Sequence, residues 1–202
     1  MSLKGRHPVS HSHNKKRGPK TFAGRVQRIV DSNLELKNIA STINYAAGSA
    51  VTSYSPTPQL VCQIAQGDNI NDRTGNVVKP RHIQIRVAYT MTLATVQTMV
   101  RTVIVRIKQA PTNAVPTNTN ILAVLGSDLA TISPYPSGPI SNKYFDVVYD
   151  KSFIMCSNNQ TSHHETINIY PKQDIHYVGT GATDSGKGQY WMLTMSNQAG
   201  GA

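Results

Sequence analysis

The stretch GATDSGKG, from Gly181 to Gly188, comes nearest to a recognised chemical motif. It matches the phosphate-binding pattern GxxxxGK but carries Gly188 where a Ser or Thr hydroxyl would bind Mg²⁺. That pattern also needs a helix directly after it, whereas the following residues, QYWMLTMS, are typical of a β-strand. The stretch therefore predicts a glycine-rich hairpin loop, and we expect no nucleotide and no other cofactor.

A metal site is the second possibility, because His163, His164 and Glu165 are consecutive. Neighbouring residues on a strand point to opposite faces, so the two histidines do not readily share one ion. No second pair of ligands stands at the spacing of a zinc site, and we expect no metal. Four loop carboxylates could bind Ca²⁺ at a subunit contact only if the fold brought them together. The simpler interpretation is that these side chains are solvated. These acids are Asp68, Asp72, Asp128 and Asp184.

Nucleophilic catalysis has no recognisable motif in the chain. Neither the GxSxG elbow of serine hydrolases nor a Cys/His signature occurs. Cys62 and Cys156 make neither a disulfide framework nor a CxxC metal site, which predicts ordinary, partly buried thiols in a reducing compartment. No apolar run is long enough for a transmembrane helix or a signal peptide. We therefore expect a soluble protein that is not an enzyme and has no membrane partner.

The charge distribution is the most informative bulk property. The chain has 202 residues and a net charge of +10, yet residues 1–28 hold eight of the 20 Lys and Arg and none of the 10 acids. The other 174 residues are nearly neutral. Residues 1–28 also offer almost nothing apolar to bury, so we expect an arm that is disordered alone, followed by one folded domain over residues 29–202.

A polycationic arm on a neutral body predicts a polyanionic partner, and single-stranded nucleic acid, DNA or RNA, is the best candidate. A nuclear-import signal in KKRGPK or a solubilising tail are the alternatives for the same residues. The predicted nucleic-acid-binding residues are Lys4, Arg6, Lys15, Lys16, Arg17, Lys20, Arg25 and Arg28.

The body is organised around one alternating run inside the stretch from Gln66 to Leu93. Its apolar residues fall on odd positions and its polar residues on even ones, a period of two that predicts a long β-strand with one buried face. The predicted core positions are Ile83, Ile85, Val87, Tyr89, Met91 and Leu93. The opposite face, with His82, Gln84 and Arg86, is a candidate for contact with another subunit or with the interior of an assembly.

Other strand-like runs lie between long loops rich in Pro, Gly and Asn, and no long helix is predicted. The run Met99–Lys108 is partly apolar on both faces, which predicts a strand covered on both sides for part of its length. Because it follows the long strand closely, we expect it to be the antiparallel neighbour of that strand. One or two helical turns are predicted within Ile121–Leu129. With about eight strands, we expect an all-β protein, an eight-stranded antiparallel jelly-roll sandwich. The remaining predicted strands are Leu34–Tyr45, Gln59–Ala65, Lys143–Met155, Glu165–Tyr170, Asp174–Val178 and Gln189–Ser196.

Several of these segments carry a resemblance. CQIAQG, then Arg73 and Gly75, then KPRHIQIRVAYT, with VVYDKSF and YWMLTMS further on, resemble the single-jelly-roll coat proteins of small icosahedral viruses. That group includes the coat proteins of satellite tobacco necrosis virus and its relatives, and the capsids of circular Rep-encoding single-stranded DNA viruses. The resemblance implies a capsid subunit of the virion, assembling with itself into a T=1 shell, with the basic arm inside on a packaged single-stranded genome.

The same resemblance leaves some points open. The arm could also direct the protein to the host nucleus, a host receptor is possible, and the mixture of Lys and Arg does not decide between DNA and RNA. Arg86, Arg106 and Lys108 are weaker candidates for contacts inside the shell. Two alternatives remain: a non-capsid nucleic-acid-binding β-sandwich protein, and a jelly-roll lectin or enzyme with an incidental basic tail.

Overall fold

The computed structural model describes residues 21–26, 40, 58–69, 72–90, 97–108, 117–123, 132–135, 144–158, 161–181 and 186–197. The chain divides into two compact units, Met1–Asn38 and Ile39–Ala202. In the first unit, residues 22–26 form one helical turn, α1. Thr21 begins this turn, because its hydroxyl accepts a hydrogen bond from the Gly24 amide at 3.2 Å and its carbonyl accepts one from the Arg25 amide at 3.1 Å.

The second unit is built from strands, and the prediction of an antiparallel all-β fold is confirmed. The strands described form three sheets, ordered β1-β8-β4-β5, β2-β7 and β3-β6, and all of their pairings are antiparallel. The elements are β1 (Gln59–Leu60), β2 (Val77–Val78), β3 (Ile83–Thr90), β4 (Gln97–Ile107), α2 (Asn118–Ile121), β5 (Phe145–Cys156), β6 (Ser162–Ile169), β7 (Ile175–His176) and β8 (Tyr190–Ser196). No helix in this described part of the chain is long and apolar enough to cross a membrane.

Strand β3 is the predicted alternating strand. Its register with β6 sets Ile85 opposite Ile167 and Tyr89 opposite His163. Ile85 and Tyr89 are buried, and the intervening even positions are exposed, so the assignment of faces is confirmed from Ile83 to Thr90. The predicted core positions Met91 and Leu93 lie outside the described residues.

Strand β4 is not the neighbour of β3, and this prediction is wrong. It pairs with β5 on one edge and with β8 on the other, whereas β3 pairs with β6. The physical reason lies in the faces of the two strands. All residues of β4 from Val100 to Val105 are buried, which suits a central strand covered on both sides, as predicted. Because β3 is apolar on one face only, it suits a sheet with one solvated face.

The sandwich is held by apolar side chains on both faces of the β1-β8-β4-β5 sheet. One face packs on residues of β3, β6 and β7, and the other on α2 and the residue after it. The first cluster is Val61, Ile64, Ile85, Ile104, Ile167, Ile169, Ile175, Tyr177, Tyr190 and Met192. The second is Leu60, Val103, Val105, Ile107, Ile121, Leu122, Trp191, Leu193 and Met195.

The GATDSGKG loop is not a hairpin, because β7 pairs with β2 while β8 pairs with β1 and β4. The loop instead carries the chain from one sheet to another. Gly188 has a φ of 84°, and a Cβ there would collide with the Asp174 carbonyl oxygen, so this position requires glycine. The Lys187 carbonyl accepts a hydrogen bond from the His176 amide at 2.8 Å, and this bond joins the loop backbone to β7.

Most of the other predicted strands are confirmed within a few residues. Strand β2 was not predicted, since two valines in a polar loop carry no periodic signal. Helix α2 begins three residues before the predicted helical turns. The predicted first strand, Leu34–Tyr45, falls almost entirely outside the described residues, so the complete eight-stranded jelly-roll connectivity stays a prediction.

Candidate nucleic-acid interface

Of the eight predicted nucleic-acid-binding residues, the structure describes Arg25 alone. Arg25 lies in α1, is exposed, and has no ion-pair partner among the residues described. An exposed cation on a short turn is free to bind a phosphate. The other seven lie outside the described residues: Lys4, Arg6, Lys15, Lys16, Arg17, Lys20 and Arg28.

Two of the weaker candidates, Arg106 and Lys108, are both paired with Asp146. The Lys108 ammonium lies 2.9 Å from one Asp146 oxygen, and the Arg106 guanidinium donates to the other. Burial by itself raises the pKa of Asp146, but the hydrogen bonds from Lys108 and Arg106 outweigh burial and hold that pKa below its usual value. One carboxylate thus offsets part of the charge of both cations, which makes them poorer phosphate ligands.

The third weaker candidate, Arg86, is different. It is exposed on the outer face of the β3-β6 sheet, and its Nε donates to the Gln84 amide oxygen at 3.1 Å. No ion pair with Arg86 occurs within the described ranges. Its two terminal nitrogens therefore remain able to bind an anion in the bidentate manner of guanidinium groups.

Arg86 is one end of a continuous row of contacts that we call the polar ladder: Arg86, Gln84, Asn168, His82 and Tyr170. The Gln84 Nε2 donates to the Asn168 Oδ1 at 3.2 Å, and the same oxygen lies 3.0 Å from the His82 Nε2. An amide oxygen only accepts, so the His82 Nε2 carries the proton. The His82 ring stacks on the Tyr170 ring with 5.0 Å between centroids and 22° between planes.

Strand geometry explains how the polar ladder forms. Alternation points Gln84 and Arg86 away from the core, and the register sets Gln84 opposite Asn168. His82 precedes β3 and Tyr170 follows β6, so antiparallel pairing brings them to the same end of the sheet. Tyr170 is 71% exposed, so most of the ring faces solvent.

Among the described residues, the outward positions of the two strands that carry the polar ladder hold no carboxylate. None of the outward residues of β3 and β6 is acidic, and Lys79, Arg81 and Lys172 are exposed just beyond the ladder's His82 end. The acid of β6, Glu165, faces inward and accepts from the Lys151 ammonium at 2.6 Å. Burial by itself raises the pKa of Glu165, but the hydrogen bond from Lys151 outweighs burial and keeps the pKa low.

Sequence reasoning found half of this surface. The outward positions of β3 were identified from the alternation, but Asn168 and Tyr170 were not, because 84 residues separate the hydrogen-bonded pair Gln84 and Asn168. The alternation in TSHHETINIY, read together with the pairing partner of β3, is the signal that would have placed Asn168 outward and Tyr170 beside His82.

Arg73, noted in the sequence only within the family resemblance, is a buried structural residue. Its side chain hydrogen-bonds to four backbone carbonyls and to the Asn76 side chain, and its guanidinium lies 4.2 Å from the Tyr177 ring centroid. The carbonyls belong to Ile64, Gly75, Gly179 and Gly181. We call this set the Arg73 clamp; because its donors are occupied, it joins three segments of chain rather than binding a ligand.

A second buried arginine, Arg101, joins β4 to β5. Its guanidinium donates to both oxygens of Asp150, at 2.8 and 2.7 Å, and to the Ser133 carbonyl at 2.7 Å. The Tyr135 hydroxyl donates to the same carboxylate at 2.5 Å. Burial alone raises the pKa of Asp150, but the hydrogen bonds from Arg101 and Tyr135 outweigh it and hold the pKa below its usual value. This cluster is structural, since each group satisfies another.

Groups with catalytic potential are few in the described part of the chain. Cys62 and Cys156 are free and partly buried, as predicted, and burial raises the pKa of the Cys62 thiol to about 12, which removes its nucleophilic form at neutral pH. Within the described ranges no group of three or more His, Cys, Asp or Glu side chains is placed to hold a metal ion.

Comparison with known proteins assigns the family. The model of the satellite tobacco necrosis virus coat protein family matches residues 9–202, which is almost the whole chain. A search of curated proteins finds no match. The matched range contains every strand described above and all but two of the predicted arm cations, Lys4 and Arg6. The chain therefore belongs to the satellite tobacco necrosis virus coat protein family, and it is a structural protein that assembles with itself into a viral capsid and resides in the virion.

Proposed function

We propose that this coat protein builds a T=1 shell and packages a single-stranded genome, DNA or RNA, through the basic arm of residues 1–28. The observation that carries the proposal is the charge separation: eight cations and no acid in the arm, with a nearly neutral body behind it. Clustered cations neutralise phosphates and release counterions without a fixed geometry, which suits a genome of any sequence.

The charges agree with a small genome. In a T=1 shell the arms would together supply about 480 positive charges, and each nucleotide carries one phosphate. A genome on the order of one or two kilobases would thus be partly neutralised by the arms, with other cations supplying the rest. In this proposal residues 29–202 form the shell domain, and KKRGPK also serves as a nuclear-import signal.

Neutralising the arm tests the packaging role. We expect the unaltered chain to bind a single-stranded oligonucleotide with a slope of log affinity against log salt of roughly −5 to −6, since eight cations each contribute about 0.7. Changing the eight arm cations to Gln should remove most of this slope and lower the nucleic-acid content of purified particles, measured by absorbance at two wavelengths.

A charge-conserving variant is the matched control. Exchanging each arm Lys for Arg and each Arg for Lys keeps the net charge of +10 and should keep both the slope and the nucleic-acid content. Particles of the neutralised variant with an unchanged nucleic-acid content would show that the arm is not the packaging element.

A further inference from the structure

We propose that the polar ladder is a second binding surface for single-stranded nucleic acid, located on the folded body, with a phosphate on Arg86 and a base stacked on Tyr170. This inference rests on the proposed packaging of a single-stranded genome and adds a defined contact site to it. The two parts of the claim, anion binding and base stacking, depend on different residues and are tested separately.

The hydrogen-bonding pattern of the polar ladder leaves donors facing outward. The Gln84 amide oxygen accepts from Arg86, and the Asn168 amide oxygen accepts from both Gln84 and His82. The two side-chain amide oxygens are thus engaged within the ladder, whereas the hydrogen bonds among the described residues use neither the terminal nitrogens of Arg86 nor the Asn168 amide nitrogen. The acceptor oxygens of this surface are already hydrogen-bonded, and its remaining donor groups are complementary to an anion.

Charge supports the same partner. The outward positions of β3 and β6 carry no acid, and three cations flank the ladder at its His82 end: Lys79, Arg81 and Lys172. A phosphate approaching Arg86 therefore meets no carboxylate among the described outward residues of β3 and β6. The positive potential of such a surface raises the local concentration of a polyanion.

Preorganisation strengthens the contact. The Arg86 side chain is held by its Nε on Gln84, so less conformational entropy is lost when its terminal nitrogens bind a phosphate. The Tyr170 ring is held in the same way by its stack on His82. His82 covers one ring face, and the 71% exposure of Tyr170 leaves the other side open to a base. Stacking of this kind tolerates any sequence, as a packaged genome requires.

A contact with a second copy of the chain is the competing use of this face. The stable core of a contact between protein subunits is apolar and depleted of charge. Apart from Ala88, the outward residues of β3 and β6 between Gln84 and Thr90 and between Ser162 and Asn168 are all polar or charged. Nucleic acid is therefore the better match, and subunit contact becomes an outcome of the test.

The test measures binding of the full chain to 20-mer oligothymidylate and 20-mer oligouridylate by fluorescence anisotropy, at chain concentrations low enough to keep subunits apart. Tyr170→Ala should weaken binding by roughly 5- to 150-fold, with an unchanged salt slope, because one stacked base is lost. Tyr170→Phe keeps the ring and should keep the affinity. Arg86→Gln should reduce the magnitude of the salt slope by about 0.7, since one phosphate contact is lost.

Lys187→Gln is the matched control for Arg86→Gln, because it also removes one positive charge. Lys187 is exposed and lies outside the polar ladder. It should leave the affinity and the salt slope unchanged. Tyr170→Ala and Arg86→Gln variants that bind both probes like the unaltered chain would overturn the inference. The same holds if these variants bind normally but no longer form particles, since the face would then be a subunit contact.

Failure of this inference is distinguishable from failure of the proposed function. If the arm-neutralised chain loses its salt slope while Tyr170→Ala binds normally, the arm packages the genome and the polar ladder does not take part. If the unaltered chain binds neither probe, the packaging proposal itself fails, and this inference fails with it.

Discussion

Replacing Arg73 with alanine is expected to lower the free energy of unfolding by about 3–5 kcal/mol. Arg73 is 3% exposed, and its guanidinium serves four carbonyls and the Asn76 side chain. Removing it leaves these acceptors without their donors, and a buried acceptor without a partner costs about 1–3 kcal/mol. It also removes the cation that lies over the Tyr177 ring.

Urea unfolding followed by the fluorescence of Trp191 measures this loss, because Trp191 is the single tryptophan and is buried in the core. Arg73→Lys should also destabilise the chain, since an ammonium cannot reproduce the fork of five donors. Arg81→Ala is the control: Arg81 is exposed, and its removal should change stability by no more than about 0.5 kcal/mol. A loss below about 1 kcal/mol for Arg73→Ala would show that the clamp is not a structural centre.

The second large effect concerns Asp150. Asp150→Asn should lower stability at neutral pH by about 2–3 kcal/mol, because buried Arg101 loses its counter-charge. The effect is smaller than for a fully buried pair, since the Asp150 side chain is 31% exposed. Tyr135→Phe removes the hydroxyl that donates to Asp150 but keeps the aromatic ring, and it should lower stability by a smaller amount than Asp150→Asn.

The pH dependence has a definite sign. The pKa of Asp150 is lower in the folded chain than in the unfolded chain, so its contribution is complete above an ordinary aspartate pKa of about 4 and is lost as the pH falls through the folded value. The difference in stability between the unaltered chain and Asp150→Asn should therefore shrink as the pH is lowered below about 4. Asp68→Asn, in an exposed loop, is the matched control and should change stability at neutral pH by no more than about 0.5 kcal/mol. A difference for Asp150→Asn that stays constant down to pH 2 would contradict this account.

The pattern of apolar and polar residues along each strand predicted which of its faces are buried. The alternation of β3 placed Ile85 and Tyr89 in the core because successive side chains of any strand point to opposite faces. The apolar residues on both faces of β4 predicted a strand covered on both sides, which is its position between β5 and β8. Neither pattern identifies a pairing partner, and so β4 was assigned to the wrong neighbour.

The basic arm could be identified from the sequence, whereas the polar ladder and the Arg73 clamp could not. Composition alone marked the basic arm, since eight cations without an acid form a signal that needs no fold. The polar ladder and the Arg73 clamp depend on long-range pairing: Gln84 meets Asn168, and Arg73 meets Gly179 and Gly181. A lone arginine in a polar loop gives no local sign of burial, so its role emerged only from the fold.

The family match, and not the fold, separates the capsid interpretation from its rivals. An antiparallel β-sandwich with a basic tail also suits a nucleic-acid-binding protein outside the capsid, or a lectin, because one fold serves many functions. The match over residues 9–202 favours the coat protein.

Particle formation tests the central claim most directly. The purified full chain, examined by sedimentation velocity and electron microscopy, should form closed shells of one diameter whose protein mass is about 1.3 MDa, the mass of a T=1 shell of this 22.0 kDa chain. A chain that stays monomeric at every salt concentration and pH tested, or that forms only open aggregates of varied size, would contradict the account.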